Sequence, residues 1–234
     1  MRVKLLTKNQ LKILAIVCMT IDHIGAAFFP QAVWLRVIGR LAFPLFSYCI
    51  AEGCRYTRNK ARYFGSVFAC GAVCVIAFLP FGSFYGNALI TLSLSILLLY
   101  GVEAWKSSGK LRFLALTAAL AAVFYLLCRT VYIDYGFAGV LLPVYAAAGR
   151  ILWERVFAGI PPVIGERLGF AIGLLALAGV MGGVQRFCVL AIFPILLLGN
   201  ERGKWEMQHF FYIYYPAHLA VIGAVRMALE AAAG

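Results

Sequence analysis

Charge is scarce in this chain, and negative charge is scarcest: 13% of its 234 residues are charged, with 9 Asp and Glu against 21 Lys and Arg. Extended polar stretches are lacking as well, and 64% of the residues are hydrophobic. A water-soluble domain of this length needs far more polar surface, so that class is excluded. The 7 cysteines (Cys18, Cys49, Cys54, Cys70, Cys74, Cys128, Cys188) nearly all lie in apolar runs and form no C-x-x-C pair. In such places cysteine acts as a small hydrophobe. The Cys70/Cys74 spacing only puts two thiols on one helix face, so neither a metal site nor a disulfide framework is expected. The N-terminus is basic and then apolar but lacks a small-residue cleavage site, so it reads as a first membrane span rather than a removed signal.

What is present is apolar length. Runs of about 17 residues or more recur along the chain, enough to cross a hydrocarbon core. They predict an all-α polytopic integral membrane protein in which residues 1–234 form a single membrane domain with short loops. Expected spans are Leu11–Phe29 (ended by Pro30), Ala32–Glu52, Tyr63–Phe81, Ala88–Ala104, Phe113–Tyr132, Phe137–Leu152, Leu168–Gly183, Phe187–Leu198 and His209–Leu229, nine in all. A Gly82–Gly86 turn precedes the fourth. Val156–Gly165 contains Pro161-Pro162, which no helix interior accommodates, so it reads as an interfacial or re-entrant piece.

The formal net charge of +12 would suggest nucleic acid in a soluble protein. Here the basic residues cluster between apolar spans, and the positive-inside rule explains them without a nucleic-acid partner. With a cytoplasmic N-terminus, the inner loops hold Arg2, Lys4, Lys8, Lys12, Arg55, Arg58, Lys60, Arg62, Lys106, Lys110, Arg112, Arg150, Arg155, Arg167, Arg202 and Lys204. That is 16 of the 21 basic residues, which fixes the expected orientation.

Ionisable groups inside a span are costly and mark functional positions by default. Asp22 and His23 lie about eleven residues beyond Lys12, roughly 16 Å along a helix, and the Lys12–His23 spacing is close to three whole turns, so those two share a face. Asp22 and His23 are about 100° apart on the helix and each needs a partner elsewhere. Arg36 and Arg40, one turn apart in the antiparallel second span, are the candidates for Asp22. A buried ion pair holding two helices together is the bland reading; a histidine beside it, suited to proton transfer, points towards chemistry.

Asp134, Asn87, Thr91 and Arg129 fall near the outer ends of their spans and suggest a polar pocket, although a turn aspartate and a helix-capping Asn87 are equally ordinary. His218 follows Pro216 in the last span, where a local helix break would free backbone groups around a cavity. His209 reads as an interfacial residue.

Several of these strings resemble the TraX family of membrane acetyltransferases. They are Leu11-Lys12-Ile13 leading to Ile21-Asp22-His23-Ile24-Gly25, then Leu35-Arg36-Val37-Ile38-Gly39-Arg40-Leu41-Ala42-Phe43-Pro44 continuing through Glu52-Gly53 to Tyr56-Thr57-Arg58-Asn59. Asp134-Tyr135-Gly136 with Gly139-Val140, Asn200 with Arg202-Gly203, and Tyr215-Pro216-Ala217-His218 complete the set, in order and over nearly the whole chain. The family's best-known activity is N-acetylation of the pilin subunit of conjugative plasmids. Lys12-x10-His23 also resembles the basic-x10-His element of the acyltransferase-3 families, which move acyl groups from a cytoplasmic donor, generally acetyl-CoA, to extracytoplasmic acceptors.

The resemblance implies an acetyltransferase of the cell (inner) membrane, without a metal, whose donor is acetyl-CoA and whose acceptor is a protein or glycan. It implies donor phosphates on Lys12, Arg55, Arg58 and Arg202, and His23 as general base or transient acyl carrier. Asp22 and Arg40 would fix the geometry, with Arg40 meeting an oxyanion. Arg36, Asn87, Asp134 and His218 would face the substrate. The same intramembrane Asp, His and Arg set also suits a proton-coupled carrier, though no inverted repeat is visible. A helical scaffold for a partner membrane protein is the third reading.

Overall fold

A computed structural model describes residues 6–79, 86–199, 201 and 208–233 of the chain. Its helices are α1 (Lys8–Phe28), α2 (Val33–Gly39), α3 (Ala42–Tyr56), α4 (Lys60–Phe78), α5 (Ala88–Ser108), α6 (Leu111–Thr130), α7 (Gly136–Val156), α8 (Val163–Met181), α9 (Ile192–Leu196) and α10 (Gln208–Ala233). A 3₁₀ segment, Gly183–Ala191, precedes α9. Among the described residues, seven helical stretches are long and apolar enough to cross a bilayer, the α2–α3 stretch Val33–Tyr56 serving as one. The chain is a multi-pass membrane protein. Gly183–Leu196, which overlaps the expected eighth span, is an apolar stretch too short to count among the seven, and α10 covers the expected ninth without being one of them.

Caps set several boundaries. Thr7 and Gln10 close a reciprocal capping box at the start of α1, satisfying two backbone donors that a helix start leaves open. Asn59 and Asn87 cap α4 and α5, and Gly109 ends α5 in the left-handed conformation at φ 66°. Val156–Gly165 is not a re-entrant piece. α7 runs to Val156, a short turn follows, and Pro161 and Pro162 sit just ahead of α8, their carbonyls accepting from Ile164 and Glu166. Proline is tolerated there because the first helical turn has no carbonyl to bond.

The chain forms two compact units, Met1–Phe46 with Gly182–Gly234, and Ser47–Met181. The first joins the two ends of the sequence: Leu6 pairs with Leu198, its N–H donating to the Leu197 carbonyl at 2.8 Å and its carbonyl accepting from Gly199 at 2.8 Å. In the second, α7 and α8 pack closely through glycines. A Cβ on Gly169 would overlap the Tyr145 carbonyl, and one on Gly149 the Gly165 carbonyl. Such close backbone approach is how helices associate in lipid, where no hydrophobic force drives them together.

The second unit also joins four of the chain's 9 acidic residues, all glutamates, in ion pairs. Glu166, buried on α8, accepts from Arg55 at 2.8 Å. Arg150, buried on α7, is paired with Glu103 and, at 3.2 Å, with Glu154, which Lys106 meets at 2.5 Å. Glu52 lies 3.8 Å from Arg55. Arg150, grouped with the loop residues on sequence grounds, is therefore part of an ion-pair network inside a helix.

Candidate functional site

Asp22 and His23 stand on α1, whose buried positions Leu11, Ala15, Cys18, Met19, Asp22 and Gly25 recur at helical spacing. Asp22 lies on that inward face, and His23 is half-buried beside it.

Its partners come from a broken helix. The expected second span divides into α2 and α3, with a break at Arg40-Leu41. Pro44 explains the break: four residues after Arg40, it has no N–H for the Arg40 carbonyl and its ring crowds that group. The ladder tightens there instead, Arg40 N–H bonding to both Arg36 and Val37 carbonyls and Leu41 N–H to Ile38. Non-helical backbone at membrane depth is tolerated only where protein or a cavity satisfies it.

The Arg40 side chain does part of that satisfying. Its Nε donates to the Arg36 carbonyl at 3.2 Å, its Nη1 to the Gln185 Oε1 at 3.1 Å, and its Nη2 to both Asp22 carboxylate oxygens at 2.5 Å. Arg36 Nη1 lies 3.0 Å from Asp22 Oδ2 and donates to the Asp22 carbonyl at 2.9 Å. The Arg36 side chain is 32% exposed against 14% for Arg40 and 12% for Asp22, so Arg40 is the sealed partner and Arg36 the one with open surface. Two guanidiniums on one carboxylate leave a net positive charge at this point.

His23 is held from α10. Its Nδ1 lies 2.7 Å from the His218 Nε2, and the rings stack with centroids 5.0 Å apart. The His218 Nδ1 is 3.0 Å from the Tyr214 carbonyl, and the Tyr214 ring stacks on His218 at 5.2 Å. Thr20 Oγ1 donates to the Ile16 carbonyl at 3.0 Å, so the Tyr214 hydroxyl, 2.8 Å away, donates to Thr20 and fixes α10 against α1. Pro216 does not break α10, which runs unbroken from Gln208 to Ala233; it removes only the donor for the carbonyl of Tyr212.

Of the residues singled out by sequence, the first unit thus brings together Asp22, His23, Arg36, Arg40 and His218. Lys12 is on the same helix, its ammonium 5.4 Å from the Phe211 ring centre. Asn87, Asp134, Arg55 and Arg58 belong to the second unit. Asn87 caps α5 and donates to the Gly71 carbonyl at 2.8 Å. Asp134 ties the turn before α7 to α5, its N–H donating to the Gly86 carbonyl at 2.7 Å and its carbonyl accepting from Thr91 at 2.5 Å. Arg129 is exposed on α6, Arg58 is exposed, and Arg55 is engaged by Glu166. Arg202, with Arg2, Lys4, Lys204, Asn200, residues 82–85 and the His209 side chain, lies outside the described residues.

Sequence reasoning missed Gln185, Thr20 and Tyr214. Thr20 and Tyr214 are one turn from Ile16 and His218, and helical spacing could have flagged them. Gln185 sits in the 3₁₀ segment, where α-helical periodicity does not apply.

Comparison with known proteins adds the following. The protein-family model described as TraX protein matches residues 7–226. The chain is 28% identical over 249 residues to the probable fimbrial assembly protein FimC, serogroup H1, of Dichelobacter nodosus, covering 94% of this chain and 96% of that one. It is 24% identical over 233 residues to Protein TraX of Escherichia coli, covering 94% of this chain and 87% of that one. An uncharacterized protein of Rickettsia prowazekii is 50% identical over 56 residues, 24% of this chain. No solved structure matches the chain.

Proposed function

The chain belongs to the TraX family, and on that premise we propose that it is a membrane-embedded acetyltransferase. It moves the acetyl group of cytoplasmic acetyl-CoA to an amine or hydroxyl of an extracytoplasmic or membrane-associated acceptor, a pilin-like protein or a glycan. The observation that carries this reading is the Asp22–Arg36–Arg40 set, whose surplus positive charge lies beside the helix that presents His23.

The chemistry follows from those parts. His23 takes the proton from the acceptor N–H or O–H as the acceptor atom attacks the thioester carbonyl carbon. The carbonyl oxygen gains negative charge, which the arginine pair is placed to stabilise in a site of low dielectric. Collapse breaks the carbon–sulfur bond, and the CoA sulfur leaves with the proton returned by His23, giving free CoA and the acetylated acceptor. A relay in which His23 itself carries the acetyl group uses the same atoms in two steps.

In this reading the N-terminus is cytoplasmic, the enzyme lies in the inner membrane, and Lys12 receives the donor's phosphates. It stands roughly 16 Å from His23 along α1, a reach that suits the extended pantetheine arm. Arg58 and Arg202 are further phosphate contacts of this proposal, while Arg55 would first have to leave Glu166. The two curated relatives with fimbrial-assembly and TraX names favour a pilin-related acceptor.

The test is mass spectrometry of purified protein for retained CoA, together with transfer of label from acetyl-labelled CoA in membrane vesicles. Wild type should retain CoA and transfer label, and His23→Ala should lose transfer by about a hundredfold or more. Unchanged transfer in His23→Ala sinks both the base and the relay mechanism.

The broken α2–α3 helix supports a second reading, since discontinuous helices hold the substrate sites of many transporters. A proton-coupled carrier would show substrate-driven uptake in proteoliposomes without any acyl donor.

A further inference from the structure

His218 bonds through both of its ring nitrogens, and the two bonds are not interchangeable. The Nδ1 faces the Tyr214 carbonyl at 3.0 Å. A carbonyl only accepts, so this nitrogen carries a hydrogen. A neutral imidazole has one N–H, which leaves the His218 Nε2 with a lone pair. That lone pair faces the His23 Nδ1 at 2.7 Å, so the His23 Nδ1 is the donor.

The opposite arrangement needs a doubly protonated His218. Its ring is buried, and Arg36 and Arg40 both act electrostatically on the neighbouring His23. Asp22 is already shared by those two arginines, so another buried positive charge would have no counter-charge in this set, and burying an unpaired charge is costly.

Resting on the acyl-transfer reading above, we propose that His218 is a positioning residue that holds His23 in its Nδ1–H tautomer, making the His23 Nε2 the nitrogen that takes the acceptor proton. Neutral imidazole left to itself prefers the other tautomer, with the hydrogen on Nε2, and a His23 in that form would have no lone pair on its Nε2. When Nε2 takes a proton, the Nδ1–H still donates to the His218 Nε2, so the charge that forms on the ring meets an acceptor already in place. The Tyr214 hydroxyl bond to Thr20 and the Tyr214–His218 stack keep that acceptor aimed.

The chain has 3 histidines, so ¹³C,¹⁵N-histidine labelling gives ring signals few enough to assign by substitution. In wild-type protein in nanodiscs, the His23 signals should be those of the Nδ1–H form. His218→Leu removes the acceptor, and His23 should change to the Nε2–H form while transfer from acetyl-labelled CoA falls about a hundredfold. His218→Gln supplies an amide oxygen as acceptor and should keep the Nδ1–H form with transfer within about tenfold of wild type. A wild-type His23 in the Nε2–H form, or an Nδ1–H form that persists in His218→Leu, overturns the proposal. If His218→Leu does not fold, the wild-type and His218→Gln spectra decide. Expected tautomers in a wild-type protein that transfers no acetyl group sink the acyl-transfer reading and leave the tautomer assignment standing. Intact transfer with an Nε2–H His23 sinks the positioning role alone.

Discussion

Gly39 lies so close to Asp22 that a Cβ built on it would overlap the carboxylate. The side chain that pairs with two arginines occupies the space a methyl group at position 39 would need. Gly39→Ala should therefore push Asp22 off its partners and lower the stability by up to the about 3–5 kcal/mol typical of a buried pair broken from one side. Thermal unfolding in detergent and acetyl transfer should fall together. Wild-type values for both would show that Asp22 does not depend on this contact.

The two arginines should respond unequally to lysine. Arg40 uses three nitrogens on three acceptor residues, a fork that an ammonium cannot reproduce. Arg36 is more exposed, so a lysine there keeps most of what is needed. Arg36→Lys should cost under about 1 kcal/mol, and Arg40→Lys about 2 kcal/mol or more with a larger loss of transfer. Equal effects in side-by-side unfolding and transfer assays would count against the difference in burial.

Pro44→Ala supplies, four residues after Arg40, the backbone N–H that proline does not have. It should let α2 and α3 join, holding or raising the melting temperature while reducing transfer, because a continuous helix would turn Arg40 away from Asp22. Full activity together with a higher melting temperature would mean that the break does not position Arg40.

Glu166→Gln removes the carboxylate from between Arg55 and, at 3.9 Å, Arg150. The loss should be about 1–3 kcal/mol, because Arg150 keeps Glu103 and Glu154 while Arg55 keeps only Glu52 at 3.8 Å. Because Asp22 and His23 belong to the other unit, the His23 tautomer should not change. A shifted His23 spectrum in Glu166→Gln would contradict that independence.

Much of the site could be read from the sequence because an ion in a lipid-depth helix has few places to go. Asp22 required a cation, and Arg36 and Arg40 were the cations of the next span. The α2–α3 break was also written in the chain, in a proline four residues after Arg40, but hydropathy alone ran the two helices together. Pro216 misled in the other direction: it predicted a break where α10 continues through the proline. The bond between His23 and His218, and the Glu166 network, join residues far apart in the chain. Such pairings follow from packing, and no local pattern encodes them.

The 3₁₀ segment has a consequence of its own. A 3₁₀ helix rises about 2.0 Å per residue where an α-helix rises about 1.5 Å. Gly183–Ala191 is 9 residues long, so its winding gains about 4.5 Å over an α-helix of the same residues. Runs of this length are uncommon because their hydrogen bonds are poorer, and the Gln185 bond to Arg40 helps hold this one extended. Rewinding it would draw in that length and rotate Gln185 off the guanidinium. The reach of this stretch and the alignment of Arg40 are thus one mechanical coordinate.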